Sequence, residues 1–354
     1  MKIVVLAGGL STERKISFSS GTKICAALRT LGHKAVLVDM FNGLEEMGED
    51  VIANPAVLFD SLPELKPVVF DGVAPDLDAV KRNRKYQSPS LFGRGVIDIC
   101  RASDVVFIAL HGMNGEDGRV QAAFDLLGIP YTGSGYLGAA MAMDKIITKE
   151  IVAPQGVNTP AWHAYKDVKE SDIPAILSET KIPCVVKTTT GGSSVGVTIV
   201  KKQEDLESAV TDSMKYGKDL LIEQYIDGRE FTVGVLMDKA LPSVEIVPKT
   251  NFYDYQNKYK AGATDEICPG RCTPEVEKKM GEMAVAVHRI LGLRTYSRSD
   301  FMVDAHGDAW FLEVNTLPGM TPTSLVPQEA AVVGISYEKL CGMIVDDAVA
   351  RSKE

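Results

Sequence analysis

The chain has 354 residues, enough for roughly two or three domains of ordinary size. Hydrophobic residues make up 45% and charged residues 24%, which is typical of a folded globular protein and excludes a disordered or collagen-like chain. With 38 Lys and Arg against 47 Asp and Glu, the net charge is −9. The overall field of such a chain disfavours nucleic acids and membrane surfaces as partners.

The sequence also predicts the cellular compartment of the protein. Its first residues, MKIVVLAGG, become polar too soon for a signal peptide, and we find no apolar run near the ~20 residues that cross a bilayer. None of the six cysteines forms a C-x-x-C pair. We therefore expect reduced thiols in a cytoplasmic protein.

The first part of the chain alternates between apolar strands and helices. Strands are predicted at 2–6, 35–40 and 105–110, and a helix begins near Glu13 after the Gly8-Gly9 turn. This alternation predicts a parallel, doubly wound sheet that is buried on both faces. Residues from about 41 to 100 are predicted to be a partly helical insertion, whose basic run at 81–85 is a solvated surface.

Two mixed α+β blocks follow. The first has a helix at 138–151 and three strands, at 184–187, 197–200 and 220–225. The second has four strands, a Tyr-rich loop and a long helix, at 231–237, 243–247, 252–260, 274–291, 299–303 and 309–314. The predicted domains are therefore 1–134, 135–223 and 224–354.

A Gly/Ser/Thr loop follows Lys187, which closes an apolar strand, and runs to Gly196. Backbone N–H groups and hydroxyls in such a loop can surround phosphate oxygens, and the lysine adds a point charge. The order of residues is not that of a Walker A loop. A flexible hairpin between two strands explains the same pattern equally well.

Two neighbouring strands carry the side chains of a candidate metal site. Asp300 lies on one strand, and Glu313 and Asn315 lie two residues apart on the next. Two carboxylates and an amide oxygen form a ligand set that suits Mg²⁺. Solvated carboxylates at the strand ends are the alternative, but apolar flanking residues favour buried acids that need a cation.

Two further segments could contact a ligand. The segment 315–325 follows the proposed metal strand and could present N–H and hydroxyl groups to a carboxylate or an oxyanion. His111 ends a buried strand, where open α/β sheets bind ligands. An ordinary strand-to-helix connection and a structural histidine are the alternatives.

Taken together, these segments resemble the D-alanine–D-alanine ligases, members of the ATP-grasp superfamily. The resemblance rests on sequence marks spread over nearly the whole chain, at 8–14, 111–118, 131–135, 143–145, 192–196, 223, 230–232, 252–259, 268–269, 313–321 and 324–327. It implies an α/β and α+β ATP-grasp fold with an N-terminal doubly wound parallel-sheet domain. It also implies that ATP activates one D-alanine as an acyl phosphate, which the amine of a second D-alanine attacks to form a peptidoglycan precursor. The expected cofactors are ATP and Mg²⁺ or Mn²⁺, and the family implies a homodimer.

The resemblance assigns a role to each matching position. The nucleotide-binding positions are Lys145, Lys187 and Lys258 for the phosphates, Glu223, Gln224, Tyr225 and Ile226 for adenine, and Glu230 for the ribose. The metal ligands are Asp300, Glu313 and Asn315. Arg298 and the N–H of Gly319 match the groups that stabilise the tetrahedral intermediate. His111 and Ser193 lie near the first amino acid, and Ser324 and Leu325 bind the carboxylate of the second.

One position departs from the family pattern. Lys15 stands where the family typically has the acid that holds the ammonium of the first substrate, and Glu13 is predicted to point elsewhere. Glu116 could take over the ammonium, the first substrate could carry an extra acid that Lys15 pairs, or the ligase activity could be weakened. We keep D-alanine as the first substrate.

Tyr259 favours peptide synthesis over ester synthesis, because relatives that make the ester tend to have histidine there. An aromatic packing residue is the alternative. Lys15, with Phe18 nearby, favours the alternative that the chain is a related ligase with another donor or acceptor, such as D-serine. A nucleotide-binding regulatory protein is a further alternative. A nicotinamide-dependent dehydrogenase is disfavoured, because the chain lacks G-x-G-x-x-G after its first strand.

Overall fold

The computed structural model describes residues 1–66, 68, 75–191, 196–249 and 264–353. Within these ranges no helix combines the length and the apolar character that a membrane span requires. The six cysteines, all within these ranges, are free thiols, as the sequence predicted.

The N-terminal part alternates strands and helices around a parallel sheet of order β2-β1-β3. Its elements are β1 (Lys2–Ala7), α1 (Arg14–Thr30), β2 (Lys34–Asp39), α2 (Glu49–Ala53), α3 (Leu58–Ser61), α4 (Leu77–Asn83), α5 (Val96–Arg101), β3 (Val105–Ile108) and α6 (Arg119–Leu127). In β1, the residues from Ile3 to Ala7 are fully buried, because helices cover the sheet. The predicted parallel sheet is confirmed.

The inserted region is partly helical, as predicted, but its basic run is not all solvated. Arg84 is only 4% exposed. Its guanidinium donates to the carbonyl oxygens of Ser90 at 2.7 Å and Phe92 at 3.0 Å and lies over the ring of Phe41. Arg84 therefore holds the inserted loop together, while the other residues of the run are exposed.

The middle part contains an antiparallel sheet of order β4-β7-β5-β6. Its elements are α7 (Tyr136–Met143), α8 (Lys145–Val152), β4 (Trp162–Tyr165), α9 (Ile173–Glu179), β5 (Cys184–Thr188), β6 (Thr198–Val200), α10 (Leu206–Met214) and β7 (Leu220–Gln224). One face packs under α9 and α10 through residues such as Val186 and Ile222. The other face carries Lys187 and Glu223, since side chains alternate along a strand.

The single helix predicted over 138–151 is in fact two. Asp144 separates them, and its carboxylate accepts hydrogen bonds from the N–H groups of Ile146 at 2.9 Å and Ile147 at 3.1 Å. This N-cap starts α8 afresh and places Lys145 in its first turn.

The C-terminal part is built on an antiparallel sheet of order β11-β10-β8-β12-β13, with β9 paired to β8. Its elements are β8 (Gly228–Leu236), β9 (Lys239–Ala240), β10 (Val244–Pro248), β11 (Thr264–Ile267), α12 (Pro274–Ile290), β12 (Tyr296–Asp304), β13 (Ala309–Asn315), α13 (Leu325–Val332) and α14 (Tyr337–Arg351). Phe231, Phe301 and Phe311 fill the core between this sheet and α12. The buried side of α14 packs instead with the N-terminal sheet. The domain boundaries at 134 and 223 stay predictions.

Candidate active site

A bulge in the C-terminal sheet brings the predicted metal ligands to one face. Asp300 lies opposite Glu313, but its neighbour Phe301 lies opposite Phe311, so Leu312 is the extra residue. An extra residue changes which side of the sheet the following side chains face. Phe311 therefore packs into the core, whereas Glu313 faces the same side as Asp300. Opposed residues of paired strands share a face, so Arg298 and Asn315 lie beside them.

Asp300 is a hydrogen-bonded carboxylate of this face and is 9% exposed. Arg298 donates two parallel hydrogen bonds to this carboxylate, of 2.9 Å from Nε and 3.0 Å from Nη2. Thr232 Oγ1 donates to Asp300 Oδ1 at 2.7 Å, and Asn315 Nδ2 donates to Oδ2 at 3.2 Å. These bonds hold the carboxylate and the guanidinium in one fixed arrangement.

Glu313 lies next to the first helical lysine of α8. Lys145 Nζ is 3.2 Å from Glu313 Oε2 and donates to the carbonyl oxygen of Gly191 at 3.0 Å. Both carboxylates of the pair thus face cationic side chains. Among the described residues, no group of three or more His, Cys, Asp or Glu could hold a metal ion. The candidate ligands are two carboxylates and the Asn315 amide, an all-oxygen set that suits Mg²⁺ or Mn²⁺.

A second group of charges surrounds Glu223 on β7, which is 2% exposed. Its Oε1 is 2.7 Å from Lys149 Nζ, and its Oε2 pairs with Lys187 Nζ. Burial alone would raise the pKa of the Glu223 carboxyl, but Lys187 and Lys149 together hold that pKa below its usual value. Glu223 is therefore an ionised, acceptor-only group.

A cavity of about 370 Å³ opens over the face that bears Asp300. From the N-terminal part it is lined by Glu13, His111 and Glu116, among others. The prediction that Glu13 points elsewhere is wrong. A Cβ built on Gly112 would lie only 2.8 Å from Glu13 Oε2, which shows how closely this carboxylate approaches the strand end. Lys15 is not among the described side chains that line the cavity.

Two N-terminal groups on which the charge of Glu13 acts have shifted pKa values. Burial, and then the charge of Glu13, raise the pKa of the Glu116 carboxyl to about 8. Glu116 also accepts a hydrogen bond from the Gly112 N–H at 2.7 Å. Burial lowers the pKa of His111, whose Nδ1 lies 3.1 Å from the carbonyl oxygen of Leu317. This side of the cavity therefore combines the side chain of Glu13 with a Glu116 carboxyl that favours its protonated form and with a neutral imidazole.

The segment 316–325 also lines the cavity. Gly319, Ser324 and Leu325 line it together with Arg298. Ser324 Oγ accepts a hydrogen bond from the Thr321 N–H at 3.0 Å and stands at the N-cap of α13. The helix N-terminus and the hydroxyl favour a carboxylate here.

Four of the remaining predicted site residues lie on β8 or at the end of β7. Glu230 lines the cavity from β8, opposite Ile246. Gln224 ends β7, and Tyr225 and Ile226 follow it directly. Ser193, Lys258 and Tyr259 lie outside the described residues.

The sequence interpretation missed two charged residues. Lys149 follows Lys145 by one helical turn, so the helical period carried the signal. Glu266 lines the cavity from β11 and receives a 2.6 Å hydrogen bond from Gln328. No motif marked Glu266, because only the register β8-β10-β11 brings it to this face.

The class of the protein is that of the ATP-grasp enzymes. It is defined by the two antiparallel sheets, the buried lysines around Glu223 and the acidic pair on β12 and β13. The family profiles described as "D-ala D-ala ligase N-terminus" and "D-ala D-ala ligase C-terminus" match residues 2–134 and 151–346. The chain therefore belongs to the D-alanine–D-alanine ligase family.

Curated relatives agree with this assignment. The D-alanine–D-alanine ligase of Lacticaseibacillus casei is 41% identical over 348 residues, which cover 98% of this chain and 95% of the relative. That of Geobacter sulfurreducens is 38% identical over 353 residues, with 99% and 95% covered.

Solved structures agree as well. The D-alanine–D-alanine ligase from Bacillus anthracis, complexed with ATP, is similar with a TM-score of 0.72 and 28% identity, covering 100% of this chain and 99% of that one. VanG D-Ala:D-Ser ligase from Enterococcus faecalis has a TM-score of 0.73 and 28% identity, with 98% and 99% covered. The predicted ATP-grasp fold and the assignment as a ligase are confirmed.

Proposed function

We propose that the protein joins two molecules of D-alanine with ATP, as its family name states, and so supplies a dipeptide for peptidoglycan precursors. The observation that carries the proposal is the shared cavity. Arg298, Asp300 and Glu313 line it from the sheet, Glu13 lines it from the N-cap of α1, and Ser324 lines it from the N-cap of α13. Acid, guanidinium and hydroxyl groups thus surround one space of about 370 Å³, which accommodates small polar substrates.

The nucleotide is held, in this proposal, by the lysines and the end of β7. Lys145 and Lys187 reach the phosphates, with Lys258 as a third cation, and Glu230 binds the ribose. Glu223 and the following residues, 224–226, bind adenine. Mg²⁺ or Mn²⁺ bound by Asp300, Glu313 and Asn315 would neutralise charge on the phosphates during transfer.

In the first step, an oxygen of the first D-alanine carboxylate attacks the γ-phosphorus of ATP, and ADP leaves. The product is an acyl phosphate. We assign Glu13 to the ammonium group of this D-alanine, because Glu13 lines the cavity and Lys15 does not. His111 lines the same cavity, and the resemblance to the family assigns Ser193 to the first amino acid as well.

In the second step, the amine of the second D-alanine, having lost a proton, attacks the acyl carbon. The C–O bond to phosphate then breaks and inorganic phosphate leaves with the electron pair. The nitrogen loses its second proton to the departing phosphate or to solvent, and the peptide bond is complete. Arg298 and the N–H of Gly319 stabilise the tetrahedral oxyanion. Ser324 and Leu325 bind the carboxylate of the second D-alanine, and the resemblance to the family assigns to Tyr259 the preference for an amine as acceptor.

The direct test measures phosphate release over pairs of D-amino acids, with D-serine and D-lactate as alternative acceptors. We expect release with D-alanine alone and its loss in Asp300→Ala and Glu313→Ala. Glu204→Ala is the matched control, because this exposed carboxylate pairs loosely with Lys202 at 3.5 Å. A clear preference for D-serine would replace D-alanine as the acceptor, and nucleotide binding without turnover would indicate a regulatory protein.

We also propose a homodimer in the cytoplasm, on the resemblance to the family. Light scattering after size exclusion should give twice the 38.3 kDa of one chain. A mass equal to one chain at micromolar concentration contradicts the dimer.

A further inference from the structure

Lys149 is a fully buried lysine that the proposed reaction does not use. Its side chain is 0% exposed in α8. Its Nζ lies 2.7 Å from Glu223 Oε1, donates to Thr159 Oγ1 and stands 5.6 Å from the centre of the Trp162 ring. Burial of a lysine is costly unless a counterion and hydrogen-bond acceptors compensate. We therefore expect Lys149 to compensate the charge of a specific partner.

The partner is Glu223, and two lysines form ion pairs with its carboxylate, one at each oxygen. Lys149 takes Oε1, and Lys187 takes Oε2. Lys187 and Glu223 share a sheet face, because Val185 lies opposite Glu223 and Lys187 follows two residues later. Burial lowers the pKa of Lys149, and the charge of Glu223 opposes this shift. The charge of Lys187 lowers the pKa further, whereas that of Glu313, from the metal strand, raises it.

The two lysines differ in how firmly they are held. The Thr159 hydroxyl accepts a hydrogen bond from Lys149 and donates one to the carbonyl oxygen of Phe311 at 2.8 Å, so Lys149 is linked to β13 as well as to Glu223. Lys187 stands near the end of β5, with 8% of its side chain exposed. Of the two, Lys187 is the one that can turn towards a phosphate.

We propose that Lys149 is the permanent counterion of Glu223 and keeps this carboxylate a pure hydrogen-bond acceptor while nucleotide is bound. In this state the Glu223 carboxylate selects a 6-aminopurine over a 6-oxopurine. This inference rests on the proposed function, in which Lys187 goes to the phosphates and Glu223 meets the base. An ionised carboxylate accepts from a 6-amino group but repels a 6-oxo group. Without Lys149, departure of Lys187 leaves a buried, uncompensated carboxylate, which takes up a proton and becomes a donor.

The test compares ATP with ITP, whose base carries oxygen in place of the 6-amino group. Dissociation constants of both nucleotides are measured by calorimetry with Mg²⁺ for the full-length protein and for Lys149→Met, Lys149→Gln and Lys149→Arg. Lys202→Met, a neutral replacement of an exposed lysine, is the control. We expect both neutral variants to lower the preference for ATP about ten- to hundredfold, which is the range of one hydrogen bond to a charged group. Lys149→Arg should restore most of the preference.

Equal weakening of ATP and ITP in the neutral variants overturns the inference, because Lys149 would then act on phosphate binding or on folding alone. Wild-type protein that binds both nucleotides equally well overturns it too. Failure of wild-type protein to bind either nucleotide instead overturns the proposed function. If thermal unfolding shows that the Lys149 variants do not fold, Glu223→Gln carries the test. Its amide can donate or accept, so the preference should fall, and an unchanged preference refutes the inference.

Discussion

The assignment of Glu13 to the first substrate predicts a selective kinetic defect in Glu13→Gln. Glutamine keeps the size of the side chain and one acceptor oxygen but removes the charge that faces the substrate ammonium. Glu13 approaches the strand end at Gly112 and shares the cavity with Glu116. A hydrogen bond to a charged group contributes about 1.5–3 kcal/mol, which corresponds to a roughly ten- to 150-fold change in affinity.

The assay is phosphate release at saturating ATP, with rates fitted to separate KM values for the first and second D-alanine. We expect the first KM to rise about 10- to 100-fold in Glu13→Gln, with the second KM and kcat nearly unchanged, because the lost contact acts on binding. Glu116→Gln should change the first KM less at pH 7. Its carboxyl, with a pKa of about 8, already carries a proton in the free protein.

Glu46→Gln is the control, since Glu46 is exposed outside the cavity. An unchanged first KM in Glu13→Gln, or a rise confined to the second KM, would refute the assignment. In that case Lys15 and the alternative substrates return as explanations of the first pocket.

Two further predictions concern stability. Gly234→Ala should lower the free energy of unfolding, measured in urea, by about 1–3 kcal/mol, because the new Cβ would lie 2.1 Å from Oε2 of the buried Glu329. The control is Gly217→Ala, where the space around the new Cβ is open. It should change the free energy of unfolding by less than about 0.5 kcal/mol. Burial lowers the pKa of His288 to about 4, so the folded state binds its proton less readily than the unfolded state, and stability should fall as pH drops from about 6.5 towards 4. The loss should reach roughly 3 kcal/mol, and His288→Gln, which does not titrate, should show a shallower decline; identical slopes for both proteins would contradict this cause.

The sequence predicted those features that depend on local periodicity. Continuous apolar strands between helices indicated the parallel sheet of β1, β2 and β3, and the i, i+2 spacing put Glu313 and Asn315 on one face. The same reasoning failed at Glu13, because Glu13 is the N-cap of α1 with φ −97° and ψ 13°. Helical spacing does not apply to a cap residue, so its side chain could not be placed from the period of the helix that follows.

Features that depend on pairing between distant strands were out of reach. The bulge at Leu312 decides that Phe311 enters the core while Glu313 reaches the site, yet nothing in the local pattern of β13 marks an extra residue. The break between α7 and α8 was accessible in principle. Asp144 followed by a helical run is an N-cap signal, which a nearly uniform apolar and small-residue stretch obscured.

The charges of the site explain why an acidic chain can serve as an ATP-dependent enzyme. The described cations around the proposed nucleotide site are Lys145, Lys149, Lys187 and Arg298, and the described acids paired with them are Glu223, Asp300 and Glu313. These groups leave an excess of one positive charge, far below the charge of about four on the triphosphate that they would hold. In the proposed function, a divalent ion held by the acids would supply part of the difference, and affinity would come from this pairing rather than from a strongly basic surface. Nucleotide and divalent ion should therefore bind cooperatively, each raising the affinity of the other by the same factor.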